Sequence, residues 1–302
     1  MKPKGEWKRL AVQAAAALLQ NANLKGFFKG EIYRGTLKQV CVPGLNCYSC
    51  PGAVGACPLG SLQSALGKSK PTFPYYVLGL LLLFGALLGR FVCGFLCPFG
   101  LVQDLLYRIP FFKKIRTFPG ERYLRPLKYV VAALLVVALP LLYTGVPFFC
   151  KYVCPAGTLL GAIPLLSVDQ ILSDQIGPLF WWKLTVLLVI VFVSLLISRP
   201  FCRYLCPLGG FYGLFNRVAL VRLKHFESKC VHCDACVPVC AMGIDPKTQF
   251  DSTECIRCGR CARVCPTDAL SLGLGCFRGK ESEGEHKEAG AGAEAKREGK
   301  NS

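Results

Sequence analysis

The chain has 302 residues, 19 cysteines, a formal charge of +18 and 53% hydrophobic residues. Its long apolar runs between about residues 10 and 200 exclude an ordinary soluble protein and point to a membrane part followed by a small soluble domain. Lysines and arginines flank those runs, so the positive-inside rule accounts for the basic excess better than nucleic-acid binding does.

In chain order, residues 1–9 are basic and LAVQAAAALLQNANLKGFF (10–28) is a weak first span, with a signal peptide as the competing interpretation. Either one places residues 29–73 outside. That outer loop, CVPGLNCYSCPGAVGACPLG, holds Cys41, Cys47, Cys50 and Cys57, and its Pro and Gly predict irregular backbone. The next span, 75–92, runs into CGFLCPFG with Cys93 and Cys97. The basic stretch 108–128 belongs on the cytoplasmic side. Residues 129–146 return outward with a kink expected at Pro140, and Cys150 and Cys154 follow. Residues 158–168 are too short to span and read as re-entrant or interfacial. The last span, 179–198, has Trp181 and Trp182 at its outer interface and Arg199 at its inner one, and leads to Cys202 and Cys206.

The soluble domain, from about Leu223 to Leu274, contains two runs of C-x2-C-x2-C-x3-C. They are Cys230, Cys233, Cys236, Cys240 and Cys255, Cys258, Cys261, Cys265. This is the spacing of a two-cluster ferredoxin, in which the fourth Cys of each run crosses to the other [4Fe-4S] cluster. The expected sets are therefore Cys230, Cys233, Cys236 with Cys265, and Cys255, Cys258, Cys261 with Cys240. Zinc is the competing metal, but it favours pairs over triplets with a remote fourth ligand. Cluster thiolates must stay reduced, which again indicates the cytoplasmic side. The tail 277–302 carries six basic and six acidic residues without apolar periodicity and reads as disordered.

The string C-P-x-G occurs four times, at Cys57, Cys97, Cys154 and Cys206, and the last three are preceded by a Cys four residues earlier. The strings alternate outside, inside, outside, inside. The membrane part thus reads as two parallel pseudo-repeats, 1–126 and 127–222, ahead of the ferredoxin domain 223–276. The fold class is an α-helical integral membrane protein of about four spans with a C-terminal α+β two-[4Fe-4S] ferredoxin-like domain. A pseudo-twofold axis along the membrane normal would bring Cys93 and Cys97 to Cys202 and Cys206, enough for a further cluster. Outside, the expected set is Cys50, Cys57, Cys150 and Cys154, leaving Cys41 and Cys47 as a disulfide or second metal site. Packing residues or redox thiols are the plain alternative. The histidines His225, His232 and His286 all follow the last span, so no bis-His haem is expected within the membrane part. Asp104 reads either as a proton site near a quinone or as part of a solvated helix face.

GRFVCGFLCPFG and RPFCRYLCPLG, followed by CVHCDACVPVC and CIRCGRCARVCP, resemble the membrane polyferredoxins of the NapH/NosR type over residues 75–270. The outer cysteines resemble a variant branch known as 4Fe-4S binding. The resemblance implies electron transfer between cytoplasmic donors or the quinone pool and an acceptor in or across the membrane, with redox proteins or quinone and the lipid bilayer as partners. A related branch reduces copper during oxidase assembly, so a ferredoxin-driven metal reductase or assembly factor is the alternative, and a cluster-based redox sensor a third. A hydrocarbon core of ~30 Å is a long gap for one electron hop. Re-entrant Cys motifs, a quinone or a flavin would have to shorten it.

Overall fold

The computed structural model describes residues 5–68, 73–110, 114–118, 120–143, 145–168, 174 and 176–275; the tail expected to be disordered lies outside them. Helices α1 (Glu6–Gln20) and α2 (Leu24–Lys29) come first, then the Cys-bearing loop and α3 (Pro58–Leu66). The apolar α4 (Tyr75–Leu88) leads to short α5 (Phe91–Phe95) and to α6 (Pro98–Arg108). The second half has α7 (Glu121–Leu142), α8 (Pro155–Val168), α9 (Pro178–Leu196), α10 (Pro200–Tyr204) and α11 (Pro207–Leu214). The last domain has β1 (Val221–His225), α12 (Arg260–Val264) and β2 (Leu270–Leu274). β1 and β2 pair antiparallel from Val221↔Leu274 to His225↔Leu270, closing the domain around its two Cys runs.

By length and composition α7 and α9 could cross a membrane; α4 and α8 are apolar but shorter. The expected span 75–92 stops at Leu88, where Gly89 adopts φ 55. That left-handed backbone suits glycine. In α7, residues Ala132–Ala138 widen into a π-helical stretch just before Pro140. The proline ring has no N–H and crowds the carbonyl four residues back, and a wider turn relieves both.

The expected first span 10–28 is not one apolar helix. It breaks at Asn21, and α1 buries a polar face of Arg9, Gln13 and Gln20. These side chains donate to the carbonyls of Gly94 (3.1 Å), Cys97 (3.0 Å) and Leu96 (2.8 Å). The irregular Cys string leaves those carbonyls unpaired, and buried carbonyls need partners. An apolar α1 could not supply them.

The ferredoxin-like domain docks on the helical body through buried charge. Arg90 bonds the Thr253 carbonyl (2.8 Å) and Glu254 (3.0 Å), and Lys128 also pairs with Glu254. Arg203 joins Glu121 (3.0 Å) and the Ala241 carbonyl (3.1 Å). Asn216 donates to the Ser252 and Cys255 carbonyls, both at 2.8 Å. Gly94, between Cys93 and Cys97, lies against the Ile256 backbone; a Cβ there would sit 2.6 Å from the Ile256 oxygen. Gly94→Val should therefore lift the domain from its seat, at a cost of about 1–3 kcal/mol. Faster amide exchange around residues 253–258, with β1 and β2 unchanged, is the expected result.

Candidate metal centres

The C-terminal domain holds two pockets. One is lined by Cys240, Cys255, Cys258 and Cys261; the other by Cys230, Cys233, Cys236 and Cys265. Each takes three cysteines from one run and the fourth from the other. The two loops are built alike. His232 (φ 51) and Arg257 (φ 52) occupy the same place in the first C-x2-C of each run, and Asp234 (φ 56) and Gly259 (φ 67) the same place in the second. Such left-handed turns aim successive backbone N–H groups into a concavity that favours an anion. Burial pushes the Cys255 thiol up to about 12 and raises Cys240 and Cys261. Thiols this buried ionise when a metal replaces the proton. For Cys265, burial is outweighed by hydrogen bonds from Thr267 and from the Ala269 backbone, which lower it.

Cys93, Cys97, Cys202 and Cys206 are buried together: Cys97 lies within electrostatic reach of Cys93 and Cys202, and Cys206 of all three others. Two arginines cross between the halves. Arg90 donates to the carbonyl of Cys202 (2.9 Å), and Arg199 donates to the carbonyl of Cys93. Each precedes the first Cys of its own pair by three residues, so R-x-x-C-x3-C-P is the repeated unit. In every C-P-x-G string the Cys caps a helix that Pro opens: Pro58, Pro98, Pro155 and Pro207. At Cys206 the sulfur also accepts from the Gly209 N–H, at 3.4 Å. A helix start favours an anionic sulfur, and Pro at that place wastes no donor.

Elsewhere in the helical body Cys150 and Cys154 meet Cys57 and Cys47. This differs from the expected set, which had Cys50 in place of Cys47. The Cys50 thiol instead donates to the Asn21 side chain (3.4 Å), and Cys41 donates to Ser61 (3.5 Å). Cys41 and Cys47 are both free thiols, not a disulfide. Loop register decides this: the loop pairs Cys41 with Ala56, which sets Cys47 against the turn at Gly157–Gly161. Lys38, bonded to the Ala53 carbonyl (2.6 Å), adds a buried positive charge beside Cys47 and Cys50.

The two helical sites are neighbours. Pro43–Leu45 of the loop that carries Cys41, Cys47 and Cys50 reaches the Cys93/Cys97 site: a Cβ on Gly44 would meet Cys97 Cα at 3.1 Å. Tyr212, fully buried, donates to the Pro43 carbonyl (3.0 Å) and lies within electrostatic reach of Cys57, Cys93, Cys97 and Cys206. Asp104 fits neither expectation for it. It is buried between Arg199 (2.6 Å), Arg9 (2.7 Å) and Arg260 (3.7 Å), and although burial would raise its carboxyl, Arg199 holds it well below the usual range. Sequence reasoning passed over Arg90, Tyr212, Gln63 and Gln103. The signal for three of them was the repeated R-x-x-C and C-P-x-G-x-x-Q; Tyr212 carried none.

Among the described residues no three His, Cys, Asp or Glu side chains converge on a point for one ion.

A family model described as a 4Fe-4S binding domain matches residues 71–119, 128–167 and 179–226, each segment containing one C-x3-C-P unit. A second model of the same description matches 248–271. An uncharacterized protein of Methanocaldococcus jannaschii is 32% identical over 190 residues, 62% of this chain and 73% of that one. The ferredoxin-type protein NapH of Haemophilus influenzae is 28% identical over 242 residues, 78% of this chain and 73% of NapH. The regulatory protein NosR of Pseudomonas aeruginosa is 29% identical over 171 residues, 54% of this chain but 22% of NosR. The chain belongs to the NapH/NosR-type ferredoxin family. No solved structure matches it. The 4Fe-4S binding models and the cysteine-lined cavities together support iron–sulfur clusters in this member of the family.

Glu254, bonded to Arg90 and Lys128, is the carboxylate at the seam; burial would raise it, but Arg90 and then Lys128 hold it below its ordinary value. A carboxyl lowered by folding stabilises fully above its unfolded value and loses that contribution as pH falls through the folded one. Glu254→Ala strands two buried cations, an expected loss of about 3–5 kcal/mol. In Glu254→Gln, stability in detergent should fall less steeply than wild type between about pH 5 and 3.

Proposed function

We propose that this chain is a membrane-bound iron–sulfur electron-transfer protein whose four cysteine sites form one path. The order is Cys230/Cys233/Cys236/Cys265, then Cys240/Cys255/Cys258/Cys261, then Cys93/Cys97/Cys202/Cys206, then Cys47/Cys57/Cys150/Cys154. The observation that carries this reading is contact between successive sites. The ferredoxin-like runs exchange their fourth cysteines, Gly94 of the inner unit lies on Ile256 between two ligands of the second site, and Tyr212 touches the loop that joins the last two. Each step moves one electron and no atoms. A path through packed protein replaces the ~30 Å hop that would make a bare membrane crossing slow.

The apolar outer faces of α7 and α9, with exposed Leu134, Val137, Leu188 and Val189, support a bilayer as the surrounding medium. In this reading four spans (α1 and α2, α4, α7, α9) set the ferredoxin-like domain on the cytoplasmic side, beside the basic stretch 108–128. A cytoplasmic donor or the quinone pool would supply electrons at one end, and an acceptor would take them at the other.

Protein purified anaerobically should contain about sixteen irons and as many labile sulfides per chain. The double variant Cys97→Ser/Cys206→Ser should lose about four of them, as should Cys47→Ser, whereas Cys50→Ser should lose none. About eight irons in the wild type would overturn the four-site path. Copper in place of the missing iron would then favour a metal reductase or assembly role.

A further inference from the structure

Two glutamines occupy matching places. Gln63 and Gln103 each lie six residues after the Cys of a C-P-x-G string, and each is 1% exposed. Gln63 Nε2 donates to the Leu59 carbonyl (3.2 Å) and to Cys150 Sγ (3.3 Å), while its Oε1 accepts from the Phe149 backbone N–H (3.0 Å). Gln103 repeats this with Phe99 (3.4 Å), Cys202 Sγ (3.2 Å) and Phe201 (3.2 Å). A backbone N–H can only donate, so it binds the amide oxygen and turns the NH2 group to the sulfur. Holding the Phe N–H would need only an acceptor. The donor to sulfur is additional, and it recurs at both sites on the first cysteine of the facing pair.

We infer that Gln63 and Gln103 are positioning residues that lock Cys150 and Cys202 as cluster ligands and raise the reduction potential of one cluster each. This rests on the reading of both helical sites as clusters. Hydrogen bonds to ligand sulfurs are among the features that set iron–sulfur potentials. A donor stabilises the reduced cluster, which carries one more negative charge, and so draws the potential upward. The reduction itself is a one-electron step from the neighbouring cluster; the glutamine gains and loses nothing.

The test is a potentiometric titration of full-length protein in detergent, followed by electron paramagnetic resonance, with iron counted in the same samples. In Gln103→Glu the acceptor for Phe201 is kept, but the donor to Cys202 becomes an anion. The expected result is wild-type iron content with one midpoint moved to lower potential and the others unmoved. Gln63→Glu should lower a different midpoint. Gln103→Leu, lacking donor and acceptor, should lower the same midpoint as Gln103→Glu or lose about four irons. Unmoved midpoints in both Glu variants at about sixteen irons would overturn this inference alone. About eight irons in the wild type would overturn it together with the four-site path.

Discussion

The structure depends on buried cations that satisfy backbone carbonyls. The C-x3-C-P strings break from helix to bend their cysteines inward, and this frees carbonyls in a water-poor interior. Arg9, Arg90, Arg199 and Arg203 reach those carbonyls or those of the docked domain. A hydrogen bond to a charged group is worth about 1.5–3 kcal/mol, and an unpartnered buried carbonyl costs a similar amount. The guanidiniums therefore hold the strings in shape and place positive charge beside the buried cysteines. Their own desolvation is offset by Asp104, Glu121 and Glu254.

The reciprocal crossing of Arg90 and Arg199 ties the two halves into one unit. Neither half could gather Cys93, Cys97, Cys202 and Cys206 alone, because each supplies one cysteine pair and the arginine that shapes the other pair. The same division holds at the other helical cysteine group, where Gln63 of the first half meets Cys150 of the second. Such interlocking makes the two sites properties of the assembled helices and not of any single loop.

The closeness of the cysteine groups to one another also comes from backbone fit. At Gly94 a side chain would strike the docked domain, and at Gly44, Gly100 and Gly209 it would crowd a cysteine backbone or an arginine. Glycine at these places lets neighbouring loops approach closely, and the close approach brings the ferredoxin-like pockets to the helical cysteines and the loop of residues 43–45 to Cys97.

Spacing alone made the two ferredoxin-like runs legible, since three cysteines in a tight loop have few other uses and the fourth must cross. The repeat of C-P-x-G pointed to shared chemistry in two halves for the same reason: Pro opens a helix, Gly admits close backbone, and the cysteine between loop and helix faces inward. What spacing could not decide was which loop cysteine faces Cys150 and Cys154. Cys47 and Cys50 are three residues apart in an irregular loop, and only the pairing of Cys41 with Ala56 turns one inward and the other to Asn21. Nor could composition show that α1 would bury its arginine and glutamines, because the carbonyls they satisfy belong to a string more than seventy residues away. Local pattern determined the ligand types and their grouping in loops. Long-range packing decided which groups meet.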